Sequence, residues 1–596
     1  MSRPGLLPSF SLLLAGEAGD GIPFLAQQLA QLLARRMPSL LLLADPPAEI
    51  RATAGSLGGV LSYQLRCGSS VYHCSECVNL LLALRPTALE TLQIELAPDA
   101  IVLLHAERFA ADQSLTRPRQ GAVYPLPLTA WNRSALATRK LSQPETDRCE
   151  SFFLLGLLAW MLELPLQPVQ QWLHATFARK PEMAQATELA LTSGHAQAES
   201  ACLPRCGLPV TPAPAPGIYR LLRGSEALLL GLLTAAHHCP GALLLAAAPA
   251  PATAELLALA HEMACDRLVV LPCADEVAAL GSALGAAYGG QMGVALCSGP
   301  GLSAMSELLG LAVMAQLPVV VIQVQHGGPA LALPRHVEQA DLATAVYGRT
   351  GAAPLVVLAQ ATARDGLEVV VEAVQLAQKE RIPVIVLTDI HLLQLAETTR
   401  IPDPLLQGQH SSPLSEPPLA PEPANLRVGW LPNHPEVYRC LSGLERLPEN
   451  GQVSFDPENH AQQCAARAAR LQRLQAALPC LTIEGDAAGE LLLIGWGGSF
   501  GPLREALLHL RARGHTVGHA HLRYLQPLPA DLPQAVSRYR VVLVVELNDG
   551  QLANYLRSVL ACPIYSHARM GGTMFRIAEI LAAAEPYLTP RQEVST

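Results

Sequence analysis

The chain has 596 residues, enough for three or four domains of ordinary size. Half of them are hydrophobic and only 15% are charged, so large buried interfaces are expected as well as cores. A net charge of -9 without any basic run argues against nucleic acid as partner. No uninterrupted apolar segment reaches the roughly 18 residues of a membrane span, since Ala227 to Ala236 stops at His237, His238 and Pro240. A soluble, cytoplasmic protein without nucleic acid or membrane partners is expected.

The opening MSRPGLLPSFSLLLAGEA imitates a secretory signal, with one Arg, a short apolar run and small residues after it. A first strand from Phe10 to Ala15 accounts for it better. That strand feeds the turn Gly16, Glu17, Ala18, Gly19, Asp20, Gly21, and a helix follows with Phe24, Leu25, Leu29, Leu32 and Leu33 apolar. A strand, a glycine turn and a helix N-terminus present backbone N–H groups to an anion. The order GxxGxG is not the dinucleotide fingerprint, and plain strand-helix packing remains an equal reading.

Cysteine invites an iron-sulfur reading, because Cys67, Cys74 and Cys77 include one CxxC. The full ligand set is missing: Cys202 and Cys206 fall in a Pro-rich segment and the others stand singly. Most of the fourteen cysteines are therefore expected to be buried small hydrophobes. The segment LPRCGLPVTPAPAPG, from Leu203 to Gly217, reads as an extended linker.

A second α/β domain runs to about Pro402, and its Ala274–Leu342 stretch is the part most suited to a cofactor. Val277, Ala278, Leu280, Gly281, Leu284, Gly285 and Tyr288 recur at helical spacing, with glycines four apart that would let another backbone approach. A short apolar run from Gly293 to Cys297 leads to the turn Ser298, Gly299, Pro300, Gly301. An amphipathic helix to about Ala315 follows, then the run Leu317 to Val324, too apolar for an exposed strand. This is a βαβ unit, in which ligands sit beyond the carboxyl ends of the strands, where SGPG and HGGP both fall. Taken alone, either turn could be an ordinary loop. Pro402 to Asn425 is again a Pro-rich linker or strap. Next comes a helix from about His460 to Leu478, whose Arg467, Arg470 and Arg473 read as a solvated or subunit-facing stripe. The last domain alternates buried strands, Leu491 to Gly495 and Val541 to Glu546, with amphipathic helices.

The segments ADEVAALGSALGAAYGG, CSGPGLSAMSELLGLAVMAQLPVVVIQVQ and GGPALALPRHVEQADL resemble the pyrimidine-binding domain of 2-oxoacid:ferredoxin oxidoreductases, which are thiamine diphosphate enzymes. GSEALLLGLLTAA from Gly224, GWGGSFGPLREA from Gly495 and VVELNDGQL from Val544 extend the likeness. GEAGDGI, AEIRATAGSLGGVLSYQLR and FARKPEMAQATELALTSG resemble the family's γ-type domain. The resemblance covers most of the chain and is similar to the subunit in which a γ-type domain precedes α-type domains, as in 2-oxoglutarate:ferredoxin oxidoreductases. It implies an α/β fold class with three doubly wound α/β domains joined by Pro-rich linkers. These are a γ-type domain over 1–200, a thiamine pyrimidine-binding domain over 217–402, a linker and helix over 403–480, and a transketolase-like domain over 481–590.

Thiamine diphosphate needs an acid on the far nitrogen of its aminopyrimidine, and the match to ADEVAALGSALGAA gives Glu276 that catalytic position. Desolvation of a buried carboxyl would suit it to sharing a proton, while an ordinary helix-N-terminal acid is the plain alternative. Ser298, Gly299 and Pro300 would then line the pyrimidine side, and Gly16, Gly19 and Gly21 the coenzyme A side. No diphosphate and magnesium signature is recognisable. The resemblance implies a β subunit that holds the diphosphate, Mg2+ and an iron-sulfur cluster, an α2β2 assembly, and ferredoxin as electron acceptor. No metal site is assigned to this chain.

The substrate end departs from many relatives, which carry a Thr in a YPITP-like turn and an Arg before GGP. Here stand AAAPAPATAE and His326. Arg335, with His326, is the candidate cation for a substrate carboxylate, with pairing of Arg335 to Glu338 as the alternative. The expected reaction joins a 2-oxoacid, above all 2-oxoglutarate, and coenzyme A to succinyl-CoA, CO2 and reduced ferredoxin, in the direction of oxidation or, as in the reductive TCA cycle, of CO2 fixation. The alternatives are a silent scaffold or coenzyme-binding subunit, or activity on pyruvate, branched-chain oxoacids or indolepyruvate.

Overall fold

The computed structural model describes residues 9–17, 19–37, 41–44, 48–50, 60–69, 71–74, 77–91, 95–109, 121–210, 214–402, 442–448 and 452–589. The linker expected from Pro402 to Asn425 lies almost wholly outside them. In chain order the strands are β1 Ser9–Glu17, β2 Leu41–Ala44, β3 Ala48–Ile50, β4 Val60–Gly68, β5 Cys77–Ala83, β6 Glu95–His105, β7 Ala122–Leu126, β8 Ile218–Arg223, β9 Leu243–Ala247, β10 Leu268–Pro272 and β11 Met292–Ser298. There follow β12 Val319–Gln325, β13 Val356–Ala359, β14 Val384–Asp389, β15 Ala396–Ile401, β16 Ile483–Gly485, β17 Gly489–Trp496, β18 Val517–Leu522, β19 Tyr524–Gln526, β20 Tyr539–Glu546 and β21 Ile564–Ala568.

The chain forms two compact units, residues 1–222 with 395–402, and residues 223–394 with 403–596. In the first, the described strands make one sheet in the order β7-β6-β5-β1-β4-β2-β15-β8, with β3 against β4. β1, β5, β6 and β7 run parallel, and β4 is antiparallel to β1. The apolar opening is this first strand, as expected: Phe10, Leu12 and Leu14 are buried in the main core of the unit, which rules against a surface segment.

Two boundaries move. The second domain was expected to run to about 402, but Ala396–Ile401 is β15, which pairs with β2 of the first sheet. Its backbone groups find ladder partners there. The segment from Leu203 was expected to be a linker, yet Leu203 and Cys206 are buried in the first core. Arg205 lies 3.7 Å above the Trp160 ring and the Cys206 N–H donates to the Met161 carbonyl at 2.9 Å, which fastens the segment down.

The second unit holds two sheets. One runs β10-β9-β11-β12-β14-β13-β19, parallel except for β19, which comes from the C-terminal part of the chain. The other runs β16-β18-β17-β20-β21 and is parallel except for β16. β11 and β12 are buried at every position, as their unbroken apolar runs require of strands covered on both faces. Gln339 ties the two halves: its side-chain amide donates to the Trp496 carbonyl, its side-chain oxygen accepts from Leu547 N–H at 2.8 Å, and Asn548 donates to its carbonyl at 2.9 Å. No helix among the described residues is long and apolar enough to cross a membrane.

The glycines four apart lie on the open face of their helix among the described residues. Helix Glu276–Tyr288 buries Ala279, Leu280, Ala283, Leu284 and Ala287, while Gly281 and Gly285 face open space with nothing within 4 Å of an added Cβ. The close approach is made from the other side, where a Cβ on Gly293 of β11 would collide with the Ala283 carbonyl. Cysteine burial is also lower than expected. Of the thirteen described, Cys67, Cys74, Cys149, Cys206, Cys239 and Cys297 are buried, and Cys77, Cys202, Cys265 and Cys480 are exposed.

Candidate functional site

Helix Glu276–Tyr288 starts because Asp275 caps it: the Asp275 side chain accepts from Ala278 N–H at 2.7 Å. Capping occupies Asp275 and leaves Glu276 at the first helical position, half-buried, aimed across the SGPG turn. The turn admits it because residue 301 is glycine, whose added Cβ would lie 2.7 Å from the Glu276 Cγ. Ser298 ends β11 and is buried, and Gly299 has φ +51°, a conformation glycine adopts at no steric cost. An added Cβ at Gly299 would also overlap the Nε2 of His326, one residue beyond β12. His326 is 2% exposed, its Nδ1 lies 3.1 Å from the Gly327 carbonyl, and its Nε2 is a buried polar atom without a partner among the described residues. The structure therefore brings Glu276, Ser298, Gly299, Gly301 and His326 together at the carboxyl ends of β11 and β12. A Glu276 fully buried within the chain is not what it shows: the carboxyl stands at a surface helix start, so complete desolvation requires a ligand or partner there.

Beneath the turn runs a polar row that the sequence reading missed. Cys297 Sγ donates to the Gln323 side-chain oxygen at 2.8 Å, and the Gln323 amide donates to the Gly299 carbonyl at 2.8 Å and to Asp341 at 2.7 Å. Gln325 accepts from Asp341 N–H at 3.3 Å. Burial raises Asp341 to about 6, against the opposing effects of the Gln323 hydrogen bond and the nearby His326. Burial, helped by the Asp341 and Glu276 charges, likewise pushes the Cys297 thiol well up. The available signal was two glutamines in the otherwise apolar strand VVVIQVQ, since amides buried on both faces must find partners.

Arg335 is exposed, in the loop from Gly327 to His336. Gly327 N–H donates to the His336 carbonyl at 3.0 Å and Leu333 N–H to the Gly327 carbonyl at 3.0 Å, which closes this loop beside His326. Glu338, the alternative partner for Arg335, is buried and accepts from the N–H groups of Gly328 at 3.2 Å and Gly571 at 3.1 Å. The Thr of AAAPAPATAE, Thr253, is fully buried at the start of its own helix.

The first unit has its own glycine turn. Gly19 and Gly21 take φ of +102° and +75°, and Gly21 precedes helix Ile22–Arg36. The turn closes on Asp20, which accepts from Glu17 N–H at 2.9 Å, from both Arg85 donors at 2.9 and 3.0 Å and from Arg108 at 2.8 Å. Arg108 continues to Glu150 at 3.0 Å, where Thr129 donates at 2.8 Å and the fully buried His105 lies 3.3 Å away. Burial works to raise the Glu150 carboxyl, but His105, Thr129 and Arg108 outweigh it and hold it below the usual range. Arg85 and Arg108 escaped the sequence reading; each follows a strand's carboxyl end by a few residues, the position from which a side chain reaches a βα turn.

Parallel strands with a glycine turn and an acid at the carboxyl ends of β11 and β12 define an α/β protein of several domains with a candidate ligand site. Family models agree segment by segment: "Pyruvate ferredoxin/flavodoxin oxidoreductase" matches residues 11–197, "Pyruvate flavodoxin/ferredoxin oxidoreductase, thiamine diP-bdg" matches 248–431, and "Pyruvate:ferredoxin oxidoreductase core domain II" matches 489–580. The chain is 35% identical over 591 residues to the 2-oxoglutarate oxidoreductase subunit KorA of Mycobacterium tuberculosis, covering 95% of this chain and 89% of that one. It is 26% identical to subunit alpha of the 2-oxoacid:ferredoxin oxidoreductase 1 of Aeropyrum pernix, over 74% of this chain and 70% of that one. The solved 2-oxoglutarate:ferredoxin oxidoreductase of Magnetococcus marinus, with 2-oxoglutarate, coenzyme A and succinyl-CoA bound, shares the fold with a TM-score of 0.84 at 24% identity. That match covers 98% of this chain and 100% of that one. The chain belongs to the 2-oxoacid:ferredoxin oxidoreductase family, as an α subunit with a fused γ-type domain.

Proposed function

We propose that the chain is the α-type subunit of a thiamine diphosphate-dependent 2-oxoglutarate:ferredoxin oxidoreductase, and that it supplies the aminopyrimidine half of the cofactor site. The carrying observation is Glu276 laid across the SGPG turn beside the Nε2 of buried His326, which has no partner among the described residues. These residues fit an aminopyrimidine: a carboxyl for a ring nitrogen, a glycine-lined turn that keeps Cβ atoms clear of a flat ligand, and a ring nitrogen on His326 still to be satisfied. Thiamine diphosphate held there would supply the carbon nucleophile and the electron sink that a 2-oxoacid needs.

The chain's own part is positional. Glu276 holds a proton against the pyrimidine nitrogen, Gly299 and Ser298 shape the floor, and the Gln323–Asp341 row fixes the Gly299 carbonyl from below. His326 offers Nε2 toward the bound molecules, and Arg335 on the neighbouring loop supplies the cation for a substrate carboxylate. The choice of 2-oxoglutarate rests on the names of the relatives. In the first unit, the Gly16, Gly19 and Gly21 turn with Arg85 and Arg108 is the proposed coenzyme A side.

A second subunit completes the site, bringing the diphosphate anchors, Mg2+ and an iron-sulfur cluster and passing electrons to ferredoxin. Support within this chain is the exposed face around Glu276, where Val269, Leu271 and Val277 are 46%, 39% and 45% exposed and Gly281 and Gly285 meet nothing. Co-purification with such a subunit, followed by coenzyme A-dependent dye reduction on 2-oxoglutarate, pyruvate, branched-chain oxoacids and indolepyruvate, tests the reading. Turnover is expected with 2-oxoglutarate above the others; a complex that binds thiamine diphosphate yet reduces no dye with any of them would make the chain a scaffold subunit.

A further inference from the structure

A second constellation stands in the connecting region, sharing no residue with the proposed thiamine site. Helix Pro457–Ala477 is capped by Asp456, whose carboxylate accepts from Glu458 and Asn459 N–H at 3.1 and 3.4 Å. One face of it carries His460, Cys464 and Arg467, at spacings of four and three residues that align them. Glu445 reaches them from the preceding segment, which the Leu447 N–H to Gln452 carbonyl and Ser454 N–H to Glu445 carbonyl bonds, both 2.9 Å, hold in place.

His460 Nδ1 lies 2.7 Å from the Glu445 carboxylate, and His460 Nε2 lies 3.6 Å from the Cys464 Sγ. Arg467 donates to both Glu445 oxygens at 3.1 Å and to the Cys464 Sγ at 3.1 Å. Partial burial works to raise the Glu445 carboxyl, but its bonds to Arg467 and His460 outweigh it and keep the group charged. A thiol, an imidazole within reach of its proton, a carboxylate orienting the imidazole and a cation on the sulfur are the components of an activated cysteine.

Cys464 also lines a cavity of about 420 Å³, with Tyr347, Arg349 and Pro354 on one side and Ala468 and Gln472 on the next turns of its own helix. That volume is in the range of small-molecule sites. Three of the side chains, Glu445, His460 and Cys464, place ligand atoms within 4.8 Å of one another, as a metal site would. Arg467 argues against a metal: its guanidinium already sits on two of the three ligand groups, and a second cation there would meet direct repulsion.

We propose that Cys464 is a thiol–disulfide exchange site that takes a low-molecular-weight disulfide into this cavity. Cys464 Sγ attacks one sulfur of the disulfide, its proton passing to His460 Nε2. The new bond joins Cys464 to that sulfur, the old S–S bond breaks, and the departing thiolate takes up the proton. One disulfide and one thiol go in, and one mixed disulfide and one thiol come out. Arg467 stabilises the sulfur's negative charge during attack, and Glu445 holds His460 in the tautomer that accepts at Nε2.

The test uses the full chain with its partner, glutathione disulfide as probe, alkylation quenching and peptide mass spectrometry under non-reducing conditions. The exposed Cys480 and Cys265 serve as internal references. At neutral pH Cys464 is expected to form the mixed disulfide about tenfold faster than either reference. His460→Ala and Arg467→Gln should each slow Cys464 about tenfold while Cys480 is unchanged, and added imidazole should restore the His460→Ala rate. Equal rates at Cys464 and Cys480, or a His460→Ala variant that exchanges as fast as the parent, would overturn the proposal. So would one zinc per chain whose removal by chelator is needed before Cys464 reacts. Should Arg467→Gln unfold the helix, Glu445→Gln tests the same coupling through His460.

Discussion

The two glycine turns start from similar sequence and end in opposite states. The turn from Gly16 to Gly21 is closed within its own unit: Asp20, its side chain 4% exposed, takes two arginines and a backbone N–H. The turn from Ser298 to Gly301 is open, with Glu276 half-buried above it and His326 Nε2 buried without a partner among the described residues. A turn closed by its own charges is held in shape before any ligand arrives, whereas an open one has buried groups still to satisfy, which a bound cofactor would complete.

The contrast can be broken from either side. The largest effect is expected at the open turn: Glu276→Gln should lower coenzyme A-dependent dye reduction by about a thousandfold while leaving the melting temperature of the subunit unchanged. At the closed turn the same kind of change should act on folding. Asp20→Ala leaves Arg85 and Arg108 facing each other and should cost about 3 kcal/mol in denaturant unfolding of the full chain. Restoration of that stability by a paired Arg85→Met change would confirm the cause.

Asp341 sharpens the difference by pH. Its carboxyl rises from 3.8 to about 6 on folding, so the folded chain holds the proton more tightly than the unfolded one. The contribution is full below 3.8 and is lost as pH climbs through about 6. Unfolding free energy should therefore fall by up to about 3 kcal/mol across that window, and Asp341→Asn should flatten the profile. The smallest effect belongs to Gly281→Ala. Its Cβ would meet open space, so the subunit alone should gain up to about 1 kcal/mol in helix stability, seen as a higher melting temperature. Weaker co-purification with the second subunit would accompany that gain if the helix face is where the partner sits.

Much of this was legible beforehand. The opening strand, the buried runs at Gly293–Cys297 and Leu317–Val324, and Glu276 at a helix start all follow from periodicity and capping chemistry. The match to the family segment chose Glu276 over Asp275, neighbouring helix positions cannot point the same way, and Asp275 does take the cap. The partners of Asp20 were not legible. Arg85 and Arg108 lie 65 and 88 residues away in sequence, and only the parallel pairing of β1, β5 and β6 sets their strand ends side by side. The same holds for β15, whose sequence AETTRI says strand but not which sheet.

Local sequence determined the elements and the turns, because capping, glycine conformations and hydrophobic period act over a few residues. Tertiary structure alone decided that Gly293 lets Ala283 in within the chain while Gly281 stays open, and which charges are already paired. It alone brought Glu445 to the helix face on which the local spacing already aligns His460, Cys464 and Arg467. Those outcomes depend on contacts between residues distant in sequence, whose geometry exists only once sheets and helices have packed.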